Sequence, residues 1–332
     1  MYTWQCRFFI TAAGSIKEYC CFKIYSILAG IYPSFLKPDF MKKFFTLLLL
    51  FILSQNAFCQ TDSLTVTYAD TLPPKTIWQN FKYDAGSVGG GFLHALSQPV
   101  RWKRDDLYKF AGTVAAIGIL YTVDEETSRW FRKQEEGAPS LLKDFGWYFG
   151  SPQNNYGITG SVYLVGLFTN HEKLRRTGVL MITSASVSGF IQQATKSLTG
   201  RARPETGYGH DHFRPFGGDA GYRSFPSGHT VLAVTTMYSL SKQFESPWLK
   251  GACWAVGAIP PVTRLWKGAH WLTDVVLSGI ISVAVVESVD TYLDRQRDYG
   301  AKKDFPGDQS PLKKISWSLR AGVSTVGIVG VF

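Results

Sequence analysis

The sequence has little cysteine, and the few cysteines lie almost entirely near one end. Of five cysteines in 332 residues, Cys6, Cys20, Cys21 and Cys59 precede residue 60, and Cys253 alone follows it. The chain after residue 59 therefore cannot form an internal disulfide, which excludes a disulfide-rich secreted scaffold. Cys253 lies in an apolar run, where we expect it to be buried.

Motifs of nucleotide-binding and nucleic-acid-binding proteins are also missing. Gly89-Gly90-Gly91 is not followed by Gly-Lys-Ser/Thr, so this stretch is not a phosphate-binding loop. The net charge of +10 at pH 7 comes without an Arg-rich run. The basic excess therefore favours an anionic membrane surface or a phosphorylated substrate over nucleic acid.

Long apolar runs are scarce as well. Six apolar segments predict helices, and most are shorter than the roughly 20 residues that cross a bilayer. They are Phe110–Val123, Tyr156–Thr169, Thr177–Thr195, Thr230–Ser241, Gly251–Thr263 and Val275–Val286. Only the third approaches spanning length, and Lys and Arg flank nearly every segment on both sides, so the charges give no orientation. Membrane insertion stays open, and a periplasmic domain lying against a membrane is the favoured interpretation.

The N-terminal part is typical of an exported protein. Met41-Lys42-Lys43, the apolar run 44–53 and Ala57-Phe58-Cys59 resemble a secretory signal peptide. We therefore expect residues 1–40 to be a mistranslated upstream extension, 41–59 a signal peptide and 60–76 a linker. The alternative is a genuine N-terminal extension with an internal anchor.

The segments around the six helices have recognisable patterns. Residues Ile77 to Leu96 predict an amphipathic helix interrupted by the three glycines, and Asp124–Asp144 predicts a polar hairpin. Pro260-Pro261 is expected to end or kink the fifth helix. The alternation in Ile315–Phe332 predicts a C-terminal strand or a short hairpin.

Three clusters between residues 196 and 274 carry the chemistry. Lys196 and Arg203 are seven residues apart and would share one face of a helix, where two cations suit a dianion. Pro226-Ser227-Gly228-His229 predicts a turn that opens a helix, whose free N–H groups can bind phosphate oxygens. His270 and Asp274 are four apart, so on a helix the carboxylate would orient the imidazole.

At these residues the chain resembles the type 2 phosphatidic acid phosphatase family, which shares its site with vanadium haloperoxidases and bacterial class A acid phosphatases. The family motifs are Lys, six residues, Arg-Pro; then Pro-Ser-Gly-His; then Ser-Arg, five residues, His, three residues, Asp. They match Lys196, Arg203 and Pro204; Pro226 to His229; and Arg264, His270 and Asp274, with Thr263 in place of the serine. The resemblance implies an all-α fold with a six-helix bundle core.

The resemblance also implies a role for each residue. His270 attacks phosphorus, Asp274 orients His270, and His229 protonates the leaving oxygen. The phosphoryl oxygens are bound by Lys196, Arg203, Ser227, the Gly228 N–H and Arg264. No metal or other cofactor is required. Residues 77–295 would form the phosphatase domain, and 296–332 a polar linker and the strand.

The expected function is that of a metal-independent phosphomonoesterase or pyrophosphatase acting through a phosphohistidine in the bacterial cell envelope. Candidate substrates are phosphatidate, phosphatidylglycerol phosphate, undecaprenyl diphosphate and lipid A phosphate. The alternatives are a soluble-ester acid phosphatase, a vanadate-dependent haloperoxidase and a non-enzymatic lipid-binding protein. For the loop Glu205–Arg223 a solvated loop is the favoured interpretation, and the alternative is that Arg214 and Arg223 add positive charge over the site.

Overall fold

A computed structural model describes residues 75–296 and the two strands 316–321 and 326–331. The predicted upstream extension, the signal peptide and nearly all of the predicted linker lie outside these residues. The helices within 75–296 are α1 (Ile77–Leu96), α2 (Arg104–Tyr121), α3 (Asp124–Arg132), α4 (Ser140–Phe149), α5 (Pro152–Phe168), α6 (Glu172–Thr199), α7 (Gly228–Ser241), α8 (Pro247–Trp266) and α9 (Leu272–Asp294). The predicted all-α bundle is confirmed, and each of the six predicted segments coincides with a helix longer than the segment, although Val123 and Thr169 lie just past the ends of α2 and α5.

Helix α7 is the centre of the bundle. It contacts α4, α5, α6, α8 and α9, and most of its residues are buried. A helix without an outward polar face belongs in a core. Because α7 begins at the second motif, its central position places that motif at one end of the bundle interior.

Two apolar clusters surround α7. One joins α1, α6 and α9 through residues such as Leu180, Val286 and Val289. The other joins α4, α7 and α8 and includes Phe149 and Cys253, so the predicted burial of Cys253 is confirmed. Each fully buried side chain of this size contributes about 1.5–3 kcal/mol. Together the clusters fix the helix ends that carry the motifs.

The prediction of a polar hairpin at Asp124–Asp144 is wrong. This stretch contains α3 and the first residues of α4. Its polar residues have helical spacing: Asp124 and Ser128 point inward four residues apart, while Glu125 and Arg129 form an exposed pair 3.7 Å apart.

The prolines Pro260 and Pro261 do not end α8, which continues to Trp266. Both are buried within the helix. The carbonyl of Pro260 accepts a hydrogen bond from Thr263 Oγ1 at 2.8 Å.

Helix α1 differs from its prediction in two ways. The three glycines do not interrupt it: a Cβ at Gly90 would overlap the Tyr292 side chain, and Gly91 packs closely against Thr183 and Tyr292. The buried face is polar and includes Asp84, whose carboxylate accepts hydrogen bonds from Arg175 at 2.9 and 3.0 Å. Ile77 and Phe81 are exposed, whereas Val88, Phe92 and Leu96 pack against the first apolar cluster.

The predicted C-terminal strand is present as one half of a hairpin. Strand β1 (Ser316–Ala321) pairs antiparallel with β2 (Val326–Val331), and Trp317 lies opposite Gly330.

Candidate active site

The first motif spans the end of α6 rather than one helix face. Lys196 lies in the last turn, and Gly200 ends the helix in the left-handed conformation with φ 57°. A Cβ at Gly200 would lie 1.9 Å from the Arg214 carbonyl oxygen, so only glycine fits. Arg203 therefore follows in extended backbone, and the prediction that Lys196 and Arg203 share a helix face is wrong.

Lys196 and Arg203 nevertheless meet in space. Burial, then the charges of Arg203 and Arg223, lower the pKa of Lys196 to about 8. Arg223 donates to Gln193 Oε1 at 3.3 Å, which keeps it beside α6, whereas Arg214 pairs with Asp219 on the exposed loop. Of the two loop arginines, Arg223 adds positive charge to the site.

The second motif forms the N-terminus of α7, as predicted. Ser227 is the N-cap, and Gly228 is the first helical residue. The Ser227 N–H donates to Ser278 Oγ at 2.8 Å. The Ser227 hydroxyl accepts from Thr230 Oγ1 at 3.0 Å and can still donate its own hydrogen. The first N–H groups of α7, including that of Gly228, have no partner within the helix and can bind an anion.

His229 enters the site from the first turn of α7. Its Nε2 is buried without a hydrogen-bond partner among the described residues. Burial, then the positive charges of Arg264 and its neighbours, lower the pKa of His229 to about 3. Gly150 closes one side of His229, because a Cβ at Gly150 would lie 2.7 Å from the His229 Cβ. The imidazole is therefore neutral near pH 7, and a bound anion would raise its pKa by offsetting the cations.

Arg264 lies in the last turn of α8 and is buried. Its guanidinium sits 4.8 Å from the centre of the Trp147 ring. Within residues 75–296, neither Arg264 Nε nor Arg203 Nε has a hydrogen-bond partner. Burial and the neighbouring charge of Arg203 lower the pKa of Arg264 to about 10, so it stays charged at neutral pH. Buried, unpaired donors of this kind are costly unless a ligand satisfies them.

His270 precedes α9 rather than lying on it. Its Nδ1 lies 2.6 Å from the Ser224 carbonyl oxygen, which can only accept, so Nδ1 carries the hydrogen. The lone pair of the neutral ring is therefore on Nε2. Burial lowers the pKa of His270 to about 4 even though Asp274 opposes the shift, which keeps the ring neutral near pH 7.

Asp274 stands behind His270 in the first turn of α9. The His270 Nδ1 is 3.7 Å from Asp274 Oδ2, an ion-pair distance longer than a hydrogen bond. The same oxygen accepts from Ser224 Oγ at 2.5 Å and from the Trp271 N–H at 2.9 Å. The prediction that a helical spacing brings Asp274 to His270 is wrong in its geometry, because a capping turn does so instead. Burial alone would raise the pKa of Asp274, but His270, Arg201 and Ser224 outweigh it and lower the pKa.

A buried hydrogen-bond network behind Asp274 was not predicted from the sequence. Arg201 donates to Asp274 Oδ1 at 2.6 Å and to Asp124 Oδ2 at 2.7 Å. Asp124 also accepts from the Thr273 N–H at 3.0 Å. The available signals were the position of Arg201 inside the first motif and that of Asp124 at the end of an apolar run. Neither signal specifies a partner more than 70 residues away.

The structure thus brings all eight predicted site residues to one end of the bundle. The cations Lys196, Arg203 and Arg264 surround His229, whose pKa all three lower, and His270 adjoins the same cluster. This arrangement can bind a dianion and present an imidazole nitrogen to it.

Comparison with known proteins gives matches over this part of the chain. Residues 177–296 match the family model described as PAP2 superfamily, which confirms the resemblance seen in the motifs. The chain is 35% identical over 104 residues to a lipid A 1-phosphatase of Rhizobium etli, covering 30% of this chain and 43% of that protein. It is 32% identical over 115 residues to a lipid A 1-phosphatase of Porphyromonas gingivalis, covering 33% of this chain and 23% of that protein.

These matches span less than half the length of the curated relatives. Among solved structures, the crystal structure of Aquifex aeolicus LpxE matches with a TM-score of 0.37 and 20% identity. That match covers 49% of this chain and 93% of that one.

Proposed function

We propose, since residues 177–296 match the PAP2 superfamily model, that the protein hydrolyses phosphate esters through a phosphohistidine on His270, without a metal ion. The hydrogen bond from His270 Nδ1 to the Ser224 carbonyl carries this proposal. It leaves the Nε2 lone pair available inside a cluster of buried cations. A neutral, oriented imidazole beside three positive charges suits attack on a phosphoryl group.

In the first step, His270 Nε2 forms a bond to phosphorus while the ester P–O bond breaks. The leaving oxygen takes its proton from His229. The low pKa of free His229 requires that the bound phosphate dianion first offset the charges of Lys196, Arg203 and Arg264, so that His229 is protonated in the complex. The same cations, with Ser227 and the Gly228 N–H, hold the phosphoryl oxygens.

In the second step, water attacks phosphorus and the Nε2–P bond breaks. His229, now neutral, takes a proton from that water, and inorganic phosphate leaves with the ring of His270 restored. Asp274 stays ionised throughout and stabilises the ring when it carries positive charge.

We propose a phosphorylated lipid of the bacterial envelope as the substrate class. Two observations favour a lipid over a soluble ester. The curated relatives are named lipid A 1-phosphatases, and α2 presents apolar side chains with none of its residues buried in the described part. Phosphatidate, phosphatidylglycerol phosphate and undecaprenyl diphosphate are the comparison substrates.

The test is release of inorganic phosphate by the purified protein in detergent with EDTA present. We expect wild-type protein to release phosphate from at least one lipid substrate and from p-nitrophenyl phosphate, and His270→Ala to release none above background. Turnover retained in His270→Ala, or release that EDTA abolishes, would contradict the proposal. Bromide oxidation that depends on added vanadate would instead indicate a haloperoxidase.

A further inference from the structure

Gln192 is a buried side chain with no role in the two reaction steps. It lies on α6 one turn before Lys196, and only 7% of its surface is exposed. Ser184, Ser188, Gln192 and Lys196 follow one another at intervals of four residues, and all four are buried. Residues four apart on a helix lie on the same face. Gln192 is therefore on the face of α6 that carries Lys196 into the phosphate site, about 6 Å further back along the helix axis.

The amide end of Gln192 faces the second motif. A Cβ built on Gly228 would lie 3.4 Å from Gln192 Nε2 and 3.9 Å from Gln192 Oε1. Gly228 is the first residue of α7, and its N–H is one of the free donors at that helix end. The Gln192 amide therefore adjoins the place where a phosphoryl oxygen would accept from the Gly228 N–H.

The Gln192 amide is also unpaired. Among residues 75–296, no other group forms a hydrogen bond with it. The exposed neighbour Gln193 differs, since its Oε1 accepts from Arg223 at 3.3 Å. Burial of an amide without a partner costs free energy, and leucine would fill the same space without that cost. An unpaired donor beside a cluster of cations indicates a ligand that accepts hydrogen bonds.

We propose that Gln192 is a further phosphate-binding residue, whose Nε2 donates a hydrogen bond to the phosphoryl oxygen held by the Gly228 N–H. The donor is neutral, so it adds a contact without adding to the repulsion among Lys196, Arg203 and Arg264. A phosphoryl group has three strong acceptor oxygens, which leaves room for this donor beside the cations. The inference rests on the proposed phosphatase site.

The test measures the binding of inorganic phosphate to the full chain in detergent, by calorimetry, together with kcat/KM for p-nitrophenyl phosphate. Gln192→Leu keeps the approximate side-chain volume and removes the amide. We expect it to raise the dissociation constant for phosphate and to lower kcat/KM, each about tenfold, because one hydrogen bond to a charged group is lost. Its melting temperature without phosphate should equal or exceed that of the wild type, because no buried amide is left unpaired.

Gln192→Glu is the second variant. It keeps the shape of the side chain but replaces the donor by a negative charge beside Lys196, so it should bind phosphate more weakly than Gln192→Leu does. Gln243→Leu is the matched control, because Gln243 lies just past the far end of α7. It should bind phosphate as tightly as the wild type.

Wild-type phosphate affinity in either Gln192 variant would show that phosphate does not contact the amide, and would overturn the inference. A lower melting temperature for Gln192→Leu would show that the amide is bonded within the protein, which would also overturn it. The phosphatase function fails separately. A wild type that releases no phosphate from any ester, yet binds inorganic phosphate more tightly than both variants, would contradict that function and leave the binding role of Gln192 intact.

Discussion

The orientation of His270 depends on a carbonyl oxygen as well as on a carboxylate. Ser224 contacts His270 through its backbone and Asp274 through its hydroxyl. Ser224 therefore links the nucleophile His270 to the carboxylate of Asp274. Since a carbonyl cannot donate, the tautomer of His270 is fixed independently of the charge on Asp274.

The pKa values of His270 and Lys196 predict the pH profile of kcat/KM. His270 must be neutral to attack, so activity should fall as the pH drops through its pKa of about 4. Lys196 must be charged to bind phosphate, so activity should also fall as the pH rises through its pKa of about 8.

Lys196→Arg separates the alkaline limb from ionisation of the substrate. Arginine has a higher intrinsic pKa than lysine, so we expect the variant to retain activity at higher pH than the wild type. Substrate ionisation is common to both proteins and cancels in the comparison. The same alkaline limb in both profiles would show that Lys196 does not produce it.

At the scale of elements, the end of α6 sets the path of the first motif. Gly200 turns the chain so that Lys196 stays on the helix while Arg201 and Arg203 leave it in different directions. Arg201 goes to the interior, and Arg203 goes to the phosphate site. The motif spacing alone predicts the convergence of its cations but not this turn, because the decisive contact is with the distant Arg214 carbonyl.

Gly200→Ala tests the turn. The left-handed conformation costs a non-glycine residue about 1–3 kcal/mol, and the clash with the Arg214 carbonyl adds to this, so we expect a lower melting temperature and loss of turnover. Gly189→Ala is the matched control in the same helix, since a Cβ there meets nothing within 4 Å. It should be neutral or stabilising by up to about 1 kcal/mol. Equal melting temperatures for Gly200→Ala and Gly189→Ala would contradict the requirement for glycine at the end of α6.

The Arg201 network joins α3 and α9 behind the nucleophile. Removing one partner of a buried ion pair costs about 3–5 kcal/mol, so Arg201→Ala and Asp124→Ala should each destabilise the fold. The double variant should lose much less than the sum, because the two side chains compensate each other. Denaturant unfolding of the wild type, the two single variants and the double variant measures this coupling. Strictly additive losses in the free energy of unfolding would show that Arg201 and Asp124 do not interact.

The same network shows where sequence reasoning stops. Helix α1 and the helices that contain the six apolar segments follow from local periodicity, and the eight site residues follow from the motifs of the family that the chain resembles. The partners Asp124 and Arg201 are 77 residues apart in sequence, so no local pattern connects them. The segment 124–144 looked like a hairpin because the inward-facing residues of α3, Asp124 and Ser128, are polar, and the distant Arg201 binds the first of them.

At the scale of the whole molecule, apolar side chains are exposed along one helix, α2. In the described part of the chain, α2 has no buried residue, and Phe110, Val114 and Ile119 are exposed. Among residues 75–296, α9 alone is long and apolar enough to cross a membrane, and half of its most apolar stretch is buried in the bundle. The sequence had favoured Thr177–Thr195 for that length. From Phe110 to Tyr121, α2 carries no charged residue, and a segment of this kind with exposed apolar side chains suits contact with lipid.

We therefore predict that α2 contributes to membrane binding. Ile119→Glu places a charge on its exposed face, and burial of such a side chain is worth about 1.5–3 kcal/mol. We expect vesicle binding, measured by flotation with anionic lipid vesicles, to weaken about tenfold or more. Ser140→Glu adds the same charge on α4 and should have little effect. Equal weakening by both variants would indicate a general charge effect rather than contact through α2.

The phosphohistidine is tested most directly by trapping it. Wild type, His270→Ala and His229→Ala are mixed with p-nitrophenyl phosphate in EDTA and quenched rapidly, and the modified residue is located by mass spectrometry. We expect an acid-labile, alkali-stable phosphate on His270 in the wild type and none in His270→Ala. His229→Ala should accumulate more of it, because nitrophenolate leaves without a proton whereas attack by water needs the base. Phosphate release without any phosphoenzyme, or a phosphate on a residue other than His270, would contradict the account.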